Sequence, residues 1–300
     1  MKLSQLRDLV AVVEHGGLRA AARQAGAAQP LLTRSIRALE HELGHPLFDR
    51  SARGMTLTPA GTAFYRRIQA VMRDLQRAED ALRQAHGEDS GEVVAGLSIM
   101  PHVGMLPRAL PAFRQRWPAV RLRLIEGLLP ALEPGLREGR LDFYLGASPQ
   151  QAPGGGLVVR ERFHNRRTVV ARRGHPLAGA RRLADLADQD WATTSVDYRA
   201  DDDLAALFER QGLPAPHVVL QAGSALSLMV ALARTDLLAM LPQQWAGFEL
   251  TAGALVTIPL DDDLPAPDIV LVHRADLPLT PAAEHLVDLM LREAPQAIAT

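Results

Sequence analysis

The sequence predicts an α/β protein with a small helical head, one long helix and a larger body of alternating strands and helices. Three observations predict it. Up to position 43 apolar residues recur every three or four positions, in short runs separated by glycine. Residues 64–82 keep a seven-residue apolar repeat. From residue 92 onward short apolar runs alternate with helical ones, the pattern of strands joined by crossover helices in a mostly parallel sheet.

The head comes first. Leu3, Leu6, Val10 and Val13 step by 3, 4 and 3 and so share one helix face. Glycines at "HGG" (15–17) stop that helix. "LRAAARQAG" (18–26) reads as a short alanine-rich helix whose small side chains let a neighbour approach. A third helix lies in "AAQPLLTRSIRALEHELG" (27–44). There Leu32, Ile36, Leu39 and Leu43 face inward, and Pro30 suits a first turn. Gln29, Thr33, Arg34 and Arg37 fall on the opposite side. Three short helices with polar donors at the start of the last make a helix-turn-helix. The residue types fit the major groove of DNA. Gln pairs with adenine, Arg with guanine, and Thr meets a thymine methyl or donates a hydrogen bond. A solvated surface helix would share the spacing, but it would not need a basic hairpin beside it. "GHPLFDRSARGMTLTPAG" (44–61) reads as such a hairpin, a two-stranded wing with Arg50 and Arg53 at its tip.

Charge distribution agrees. The chain carries a net −1, yet residues 1–67 carry +5 and the remainder −6. A basic head on an acidic body suits contact of the head alone with a polyanion. Lys2 is the one lysine, so nearly every cation is a guanidinium.

The long helix spans 59–87. Phe64, Ile68, Val71, Leu75, Ala78 and Leu82 form a heptad seam on a rod about 40 Å long, which predicts a homodimer through this arm. A dimer brings two recognition helices to the half-sites of an inverted repeat in double-stranded DNA. "GEDSG" (87–91) reads as a polar hinge. Beyond it, strands are expected at 92–99, 120–127, 141–147, 167–173, 190–195, 217–223, 236–242, 254–260 and 268–274. Helices are expected at 104–116, 130–138, 182–187, 201–211, 224–234 and 281–293.

Other function classes find little support. There is no cysteine, hence no disulfide and no thiolate metal site. The sequence shows no signal peptide and no run of apolar residues long enough for a membrane span, so a cytoplasmic location is expected. His41 and His45 are spaced as a metal pair but have no third ligand in view. "PGGG" (153–156) lacks the Lys-Ser/Thr and the adjoining helix of a phosphate loop. The acidic triplet at 201–203 reads as a helix start and that at 261–263 as solvated loop. No catalytic constellation, metal site or cofactor motif is found, so an enzyme is not expected.

"LRAAARQAG", "QPLLTRSIRALEHELG", "PLFDR" and "LTPAG" together resemble the N-terminal winged helix-turn-helix of LysR-type transcriptional regulators. Ala28 departs from the Ser or Thr usual before the Gln-Pro pair, which removes an N-cap hydroxyl; Gly17 stands where a capping Ser is common. The resemblance implies four segments: a DNA-binding domain at 1–58, a linker helix at 59–87, a hinge at 88–91 and an effector-binding domain at 92–300. The last would be built like a periplasmic solute-binding protein, with subdomain one at 92–162 plus 267–300, subdomain two at 163–266, and crossovers near 160–166 and 263–268. Tetramers are common in the family. "LSIM", "LDF", "RQGLPAP", "DLLAMLP" and "DLPLTPAAEHL" are similar to its branch around TsaR, which serves aromatic sulfonate breakdown.

A ligand in such a body sits beyond the carboxyl ends of strands, near helix N-termini. Three loops qualify there: Ser98, Met100 and Pro101 after the first strand, Thr193, Thr194 and Ser195 after the strand at 190–195, and Ser224 before a helix. Ser98 matches the family position that supplies a ligand hydroxyl. Hydroxyls and free N–H groups suit a small anion such as a carboxylate or sulfonate, though Ser and Thr there also serve as plain helix caps. Phe143, Met100 and Phe248 could supply apolar walls, with core packing the simpler role. The expected protein is a regulator whose operator binding or bending answers to a small effector. The alternative is an architectural DNA-binding protein with a vestigial solute-binding domain.

Overall fold

The computed structural model describes residues 1–51, 54–149, 151–194 and 200–293. Packing divides the chain inside a helix, between Glu79 and Asp80.

The N-terminal part holds α1 (Leu3–Glu14), α2 (Leu18–Gln24), α3 (Gln29–Leu43), a hairpin of β1 (Phe48–Ser51) and β2 (Gly54–Leu57), and the start of α4 (Pro59–Ala85). Its core joins Leu6, Leu9 and Val12 of α1 to Ala21 and Ala22 of α2 and to Leu32, Ile36 and Leu39 of α3. Ala21 and Ala22 are fully or nearly fully buried, which is how three short helices approach closely enough to share a core. The α1 stripe is rotated from the expected one. Leu9 and Val12 are buried, Val10 and Val13 are half-buried, and Leu3 is exposed.

Local hydrogen bonds fix the path into the wing. The Glu40 Oε1 carboxylate accepts from the Leu47 and Phe48 backbone amides at 2.9 and 3.1 Å. The Thr58 hydroxyl accepts from the Gly61 amide at 2.9 Å and donates to the Pro46 carbonyl at 3.0 Å, capping α4. By contrast α3 has no side-chain cap. Ala28 holds the extended cap conformation (φ −74°, ψ 127°) without a hydroxyl to use it. Ala28→Ser should therefore stabilise the head by about 1 kcal/mol; an unchanged melting temperature would refute this.

The heptad seam of α4 is divided. Phe64 and Ile68 pack into the head core, whereas Val71 and Leu82 are 54% and 62% exposed and Ala78 is exposed. Only the later positions are open to another chain. The last turn of α4 is tied down instead of leading into a free hinge. Gln84 is 3% exposed. Its Nε2 donates to the Ser90 carbonyl at 2.9 Å, and its Oε1 accepts from the Ala282 amide at 3.0 Å. Residues 88–91 are thus held by the helix that precedes them.

The C-terminal part begins with β3 (Glu92–Leu97), α5 (Ile99–Gly104), α6 (Leu106–Arg116), β4 (Arg121–Glu126), α7 (Leu129–Arg137), β5 (Phe143–Ala147) and β6 (Leu157–Phe163). It continues through β7 (Arg167–Arg172), β8 (Asp190–Thr194), α8 (Ala200–Arg210), β9 (His217–Ala222), α9 (Ala225–Arg234), β10 (Ala239–Pro242) and β11 (Leu255–Ile258). β12 (Ile269–Arg274) and α10 (Pro281–Arg292) follow, and short 3-10 turns stand at Leu183–Leu186, where a helix was expected, Gln243–Gly247 and Glu249–Thr251.

One sheet has the order β4-β3-β5-β12-β6. β3 runs parallel to β4 and β5, and β12 runs antiparallel to both β5 and β6. Phe113, Trp117, Leu286 and Met290 cover one face, and Leu129, Leu136 and Leu141 the other. Burial on both faces explains the nearly unbroken apolar runs of β3, β5 and β12, while the edge strands β4 and β6 carry charges. A second region pairs β8 with β9 in parallel, and β7 with β10 and β11 in antiparallel. Its core includes an edge-to-face contact between Trp191 and Phe208 at 5.5 Å.

Several elements differ from expectation. Strand pairing is mixed, not mostly parallel. The strand at 157–163 was not expected, because the charges within "LVVRERF" break its apolar run and leave it looking like a crossover segment. The expected strand at 236–242 is confined to 239–242. The expected helix at 104–116 is α6, and the short α5 before it was not expected; Pro107 has no N–H for the Val103 carbonyl, so α5 does not run unbroken into α6. Near the expected crossovers, Arg166 pairs with Pro265, and the Arg167 amide donates to the Leu264 carbonyl at 2.9 Å.

Candidate functional site

Two places gather the expected residues. The first is the outer face of α3. Gln29, Pro30, Arg34 and Arg37 are all exposed there, while Leu32, Ile36 and Leu39 anchor the opposite face. Thr33 is half-buried, and its hydroxyl donates to the Gln29 carbonyl at 3.0 Å. Its oxygen keeps acceptor capacity and its methyl can meet a base, but its proton is already committed. Leu31, 53% exposed beside Pro30, does not stand out in the sequence. An exposed leucine at the head of such a helix can contact a thymine methyl. Arg50 lies on β1, opposite Met55, and Arg53 falls outside the described residues.

The second place is a cavity of about 260 Å³ in the C-terminal part. Ser98, Glu126, Gly127 and Leu128 line it from the carboxyl ends of β3 and β4, and Thr193, Thr194, Gly223 and Ser224 from those of β8 and β9. Asn165, Arg167, Pro267 and Ile269 line it near the crossovers. It therefore sits where an α/β sheet presents backbone ends and helix starts.

Ser98 follows β3, as expected, and stands in extended conformation at the start of α5 without a side-chain cap bond. Its hydroxyl accepts from the Ala147 amide at 3.3 Å. Tyr144 donates to the Ala147 carbonyl at 3.1 Å, and burial pushes its phenol well above the usual range, so it stays a neutral donor. Gly146 is required beside them, because an added Cβ would lie 2.4 Å from the Tyr144 hydroxyl and 2.7 Å from Ser98 Cβ. Met100 lines the cavity although it is 1% exposed.

Other expectations resolve differently. Pro101 is buried within α5 and is not a cavity wall; two residues on from Ile99, it lies on the far side of the helix. Thr194 lines the cavity, and Ser195 falls outside the described residues. Ser224 lines the cavity, but its hydroxyl is engaged as the α9 cap: it accepts from the Ser227 amide at 3.2 Å and donates to the Ser227 hydroxyl at 3.0 Å. Phe143 is core, and Phe248 packs edge-on to Trp245 at 5.8 Å.

The charged walls were not expected from the sequence. Arg167 is 14% exposed and its Nη2 donates to Asp203 Oδ2 at 2.7 Å. Glu126, at the end of β4, accepts the Ala225 amide of α9 on Oε1 at 3.0 Å. Thr193 donates to Asp201 at 2.7 Å. The triplet at 201–203 thus opens α8 and also holds polar groups of the cavity. Arg167 is hidden among the arginines of "RRTVVARR". Glu126 was detectable as the carboxyl-terminal residue of a strand, where ligand-facing groups gather.

The remaining motifs are structural. The Arg137 guanidinium donates to the Gly154 and Gly155 carbonyls at 2.9 and 2.5 Å, so the loop at 153–156 is braced from outside. Asp262 accepts from the Leu183 amide at 2.5 Å, and Asp261 meets Arg181 at 3.5 Å; the second acidic triplet is not simply solvated. His41 and His45 are exposed, and no group of three or more metal-ligating side chains occurs among the described residues. No helix among the described residues is long and apolar enough to cross a membrane.

Residues 3–62 match the family model "Bacterial regulatory helix-turn-helix protein, lysR family", and residues 86–295 match "LysR substrate binding domain". The SDS degradation transcriptional activation protein of Pseudomonas sp. (strain ATCC 19151) is 32% identical over 97% of this chain and 96% of its own. The regulator GalR of Pseudomonas putida is 28% identical, over 94% of this chain and 72% of its own. Among solved structures, CbnR in complex with its target DNA superposes with a TM-score of 0.72 at 22% identity, covering 98% of this chain and 100% of that one.

Proposed function

This chain belongs to the LysR family of bacterial transcription regulators, which are not enzymes, and from that premise we propose how its two sites act. The α3 face reads an inverted-repeat operator, with Gln29, Leu31, Arg34 and Arg37 on base edges and Pro30, Thr33 and the wing arginines Arg50 and Arg53 setting the approach. The regulator works in the cytoplasm. The exposed end of the α4 seam pairs with a second copy, and two dimers assemble as a tetramer. Residues 92–162 with 267–300, and 163–266, act as two lobes around the cavity.

The effector is a small molecule with an apolar body and one acidic head. The observation that carries this reading is the cavity itself, where Arg167, Ser98 and Thr194 share walls with Leu128, Leu132, Met240 and Ile269. A guanidinium carries five N–H donors, so its bond to Asp203 does not exhaust it. The cavity walls come from strands and helices at both ends of the part, so a ligand that favours one arrangement of them shifts the geometry passed to α4 and the bend of the bound DNA.

The test is thermal melting of the full chain with small aromatic and aliphatic carboxylates and sulfonates. One class should raise the melting temperature in proportion to the logarithm of concentration. A ligand present at a hundred times its Kd adds about 2.7 kcal/mol, a rise of roughly 5–10 °C for a part of this size. A flat panel would sink the effector reading and favour an architectural DNA-binding role.

A further inference from the structure

We infer that Glu126 limits the cavity to effectors with a single acidic group, because its own carboxylate holds the position a second one would take. The inference rests on the reading of the cavity as an anion sensor and deepens it. Two places in the walls suit an anion. One is the largely buried Arg167 guanidinium. The other is the start of the ten-residue helix α9, where backbone N–H groups and the helix dipole favour negative charge.

The second is already filled. Glu126 comes from the end of β4, nearly a hundred residues away in the chain, and its Oε1 accepts the first amide of α9 at 3.0 Å. The next cap interaction is internal as well, since the Ser227 amide is bound by the Ser224 hydroxyl. Both of these donors are therefore satisfied before any ligand arrives. Arg167 and Glu126 line the same cavity, so a ligand whose acid is held by Arg167 has Glu126 among the walls its other end can meet. A neutral end meets apolar wall. A second acid meets a fixed like charge, and the Ala225 and Ser227 amides are already bonded and cannot replace the water it loses.

Calorimetric titration of the full chain with two matched pairs, benzoate against terephthalate and benzenesulfonate against benzene-1,4-disulfonate, tests this. Wild type should bind the monoanion of a pair at least about tenfold more tightly than the dianion, the scale of one screened like-charge contact. Glu126→Gln keeps an acceptor for Ala225 and removes the charge. Glu126→Ala removes both. Each should shrink the preference by about tenfold, through tighter dianion binding. Hydrogen exchange at the Ala225 amide should quicken in Glu126→Ala and hold in Glu126→Gln.

An unchanged preference in both variants would overturn the inference while leaving the anion reading in place, as would wild-type preference for the dianion. Equal exchange at Ala225 in wild type and Glu126→Ala would overturn it without reference to any ligand. If none of the four probes binds any of the three proteins, the anion reading itself falls and takes the inference with it.

Discussion

Gly61→Ala should destabilise the N-terminal head and leave the C-terminal part untouched. A Cβ at Gly61 would lie 2.0 Å from the Leu47 carbonyl oxygen, 2.8 Å from its carbon and 3.1 Å from its Cα. All three are backbone atoms, so no side chain can swing away. The Leu47 carbonyl is fixed in turn, since it accepts from the Thr58 amide at 2.9 Å. The first turn of α4 must therefore retreat from the entry to the wing, which breaks the Thr58 cap. The expected cost is about 3 kcal/mol, at the upper end for overpacking, and a fall of more than about 10 °C in the melting of so small a domain. Hydrogen exchange should rise across 3–43 and stay unchanged across 92–97. Gly155→Ala is the control, since a Cβ there meets nothing within 4 Å. Wild-type protection of α1 to α3 in Gly61→Ala would show that the close approach is relieved at little cost.

Arg34→Ala should weaken operator binding without touching stability. Arg34 is exposed on α3, beside Thr33 and one turn from Pro30, on the face opposite Ile36 and Leu39. A guanidinium bidentate to guanine contributes about 1–3 kcal/mol of discrimination, so specific affinity should fall by roughly 10- to 100-fold. Affinity for a scrambled duplex should fall much less. Fluorescence anisotropy with both duplexes, at one stated salt concentration, measures the two constants. Equal losses on both would make Arg34 a phosphate contact, and no loss on either would remove α3 as the reading face.

Much of the head was legible because helix periodicity is a local signal. Leu32, Ile36 and Leu39 are as buried as their spacing requires. The missing cap at Ala28 was visible as a missing hydroxyl, and α3 has no side-chain cap there. Where several helices compete for one small core, spacing alone left the α1 stripe uncertain by one position. Strand positions in the C-terminal part were legible too, but strand direction was not. β12 lies far along the chain from β5 and returns antiparallel to it, and no local residue pattern encodes that choice. The cavity residues divide in the same way. Ser98, Thr194 and Ser224 were found from their place after strands. Glu126 carries a signal in its place at the end of a strand, whereas Arg167 looks like ordinary surface until its partner Asp203 is known. The close contact at Gly61 is equally silent in sequence, since the backbone it meets belongs to Leu47, in a different turn.

The tie made by Gln84 bears on any attempt to graft another regulator's head onto this sensing half. The loop at 86–91 looks like the natural seam for cutting. Yet Asp80 and Gln84 are 5% and 3% exposed, and a side chain at Gly91 would collide with both, at 3.0 and 2.9 Å. By packing, the last two turns of α4 are part of the C-terminal half. A chimera spliced at Gly87 would import those turns from the wrong parent and leave the Ala282 amide facing a foreign residue. A splice before Asp80, keeping the helical phase of α4, transplants the joint together with the half it serves.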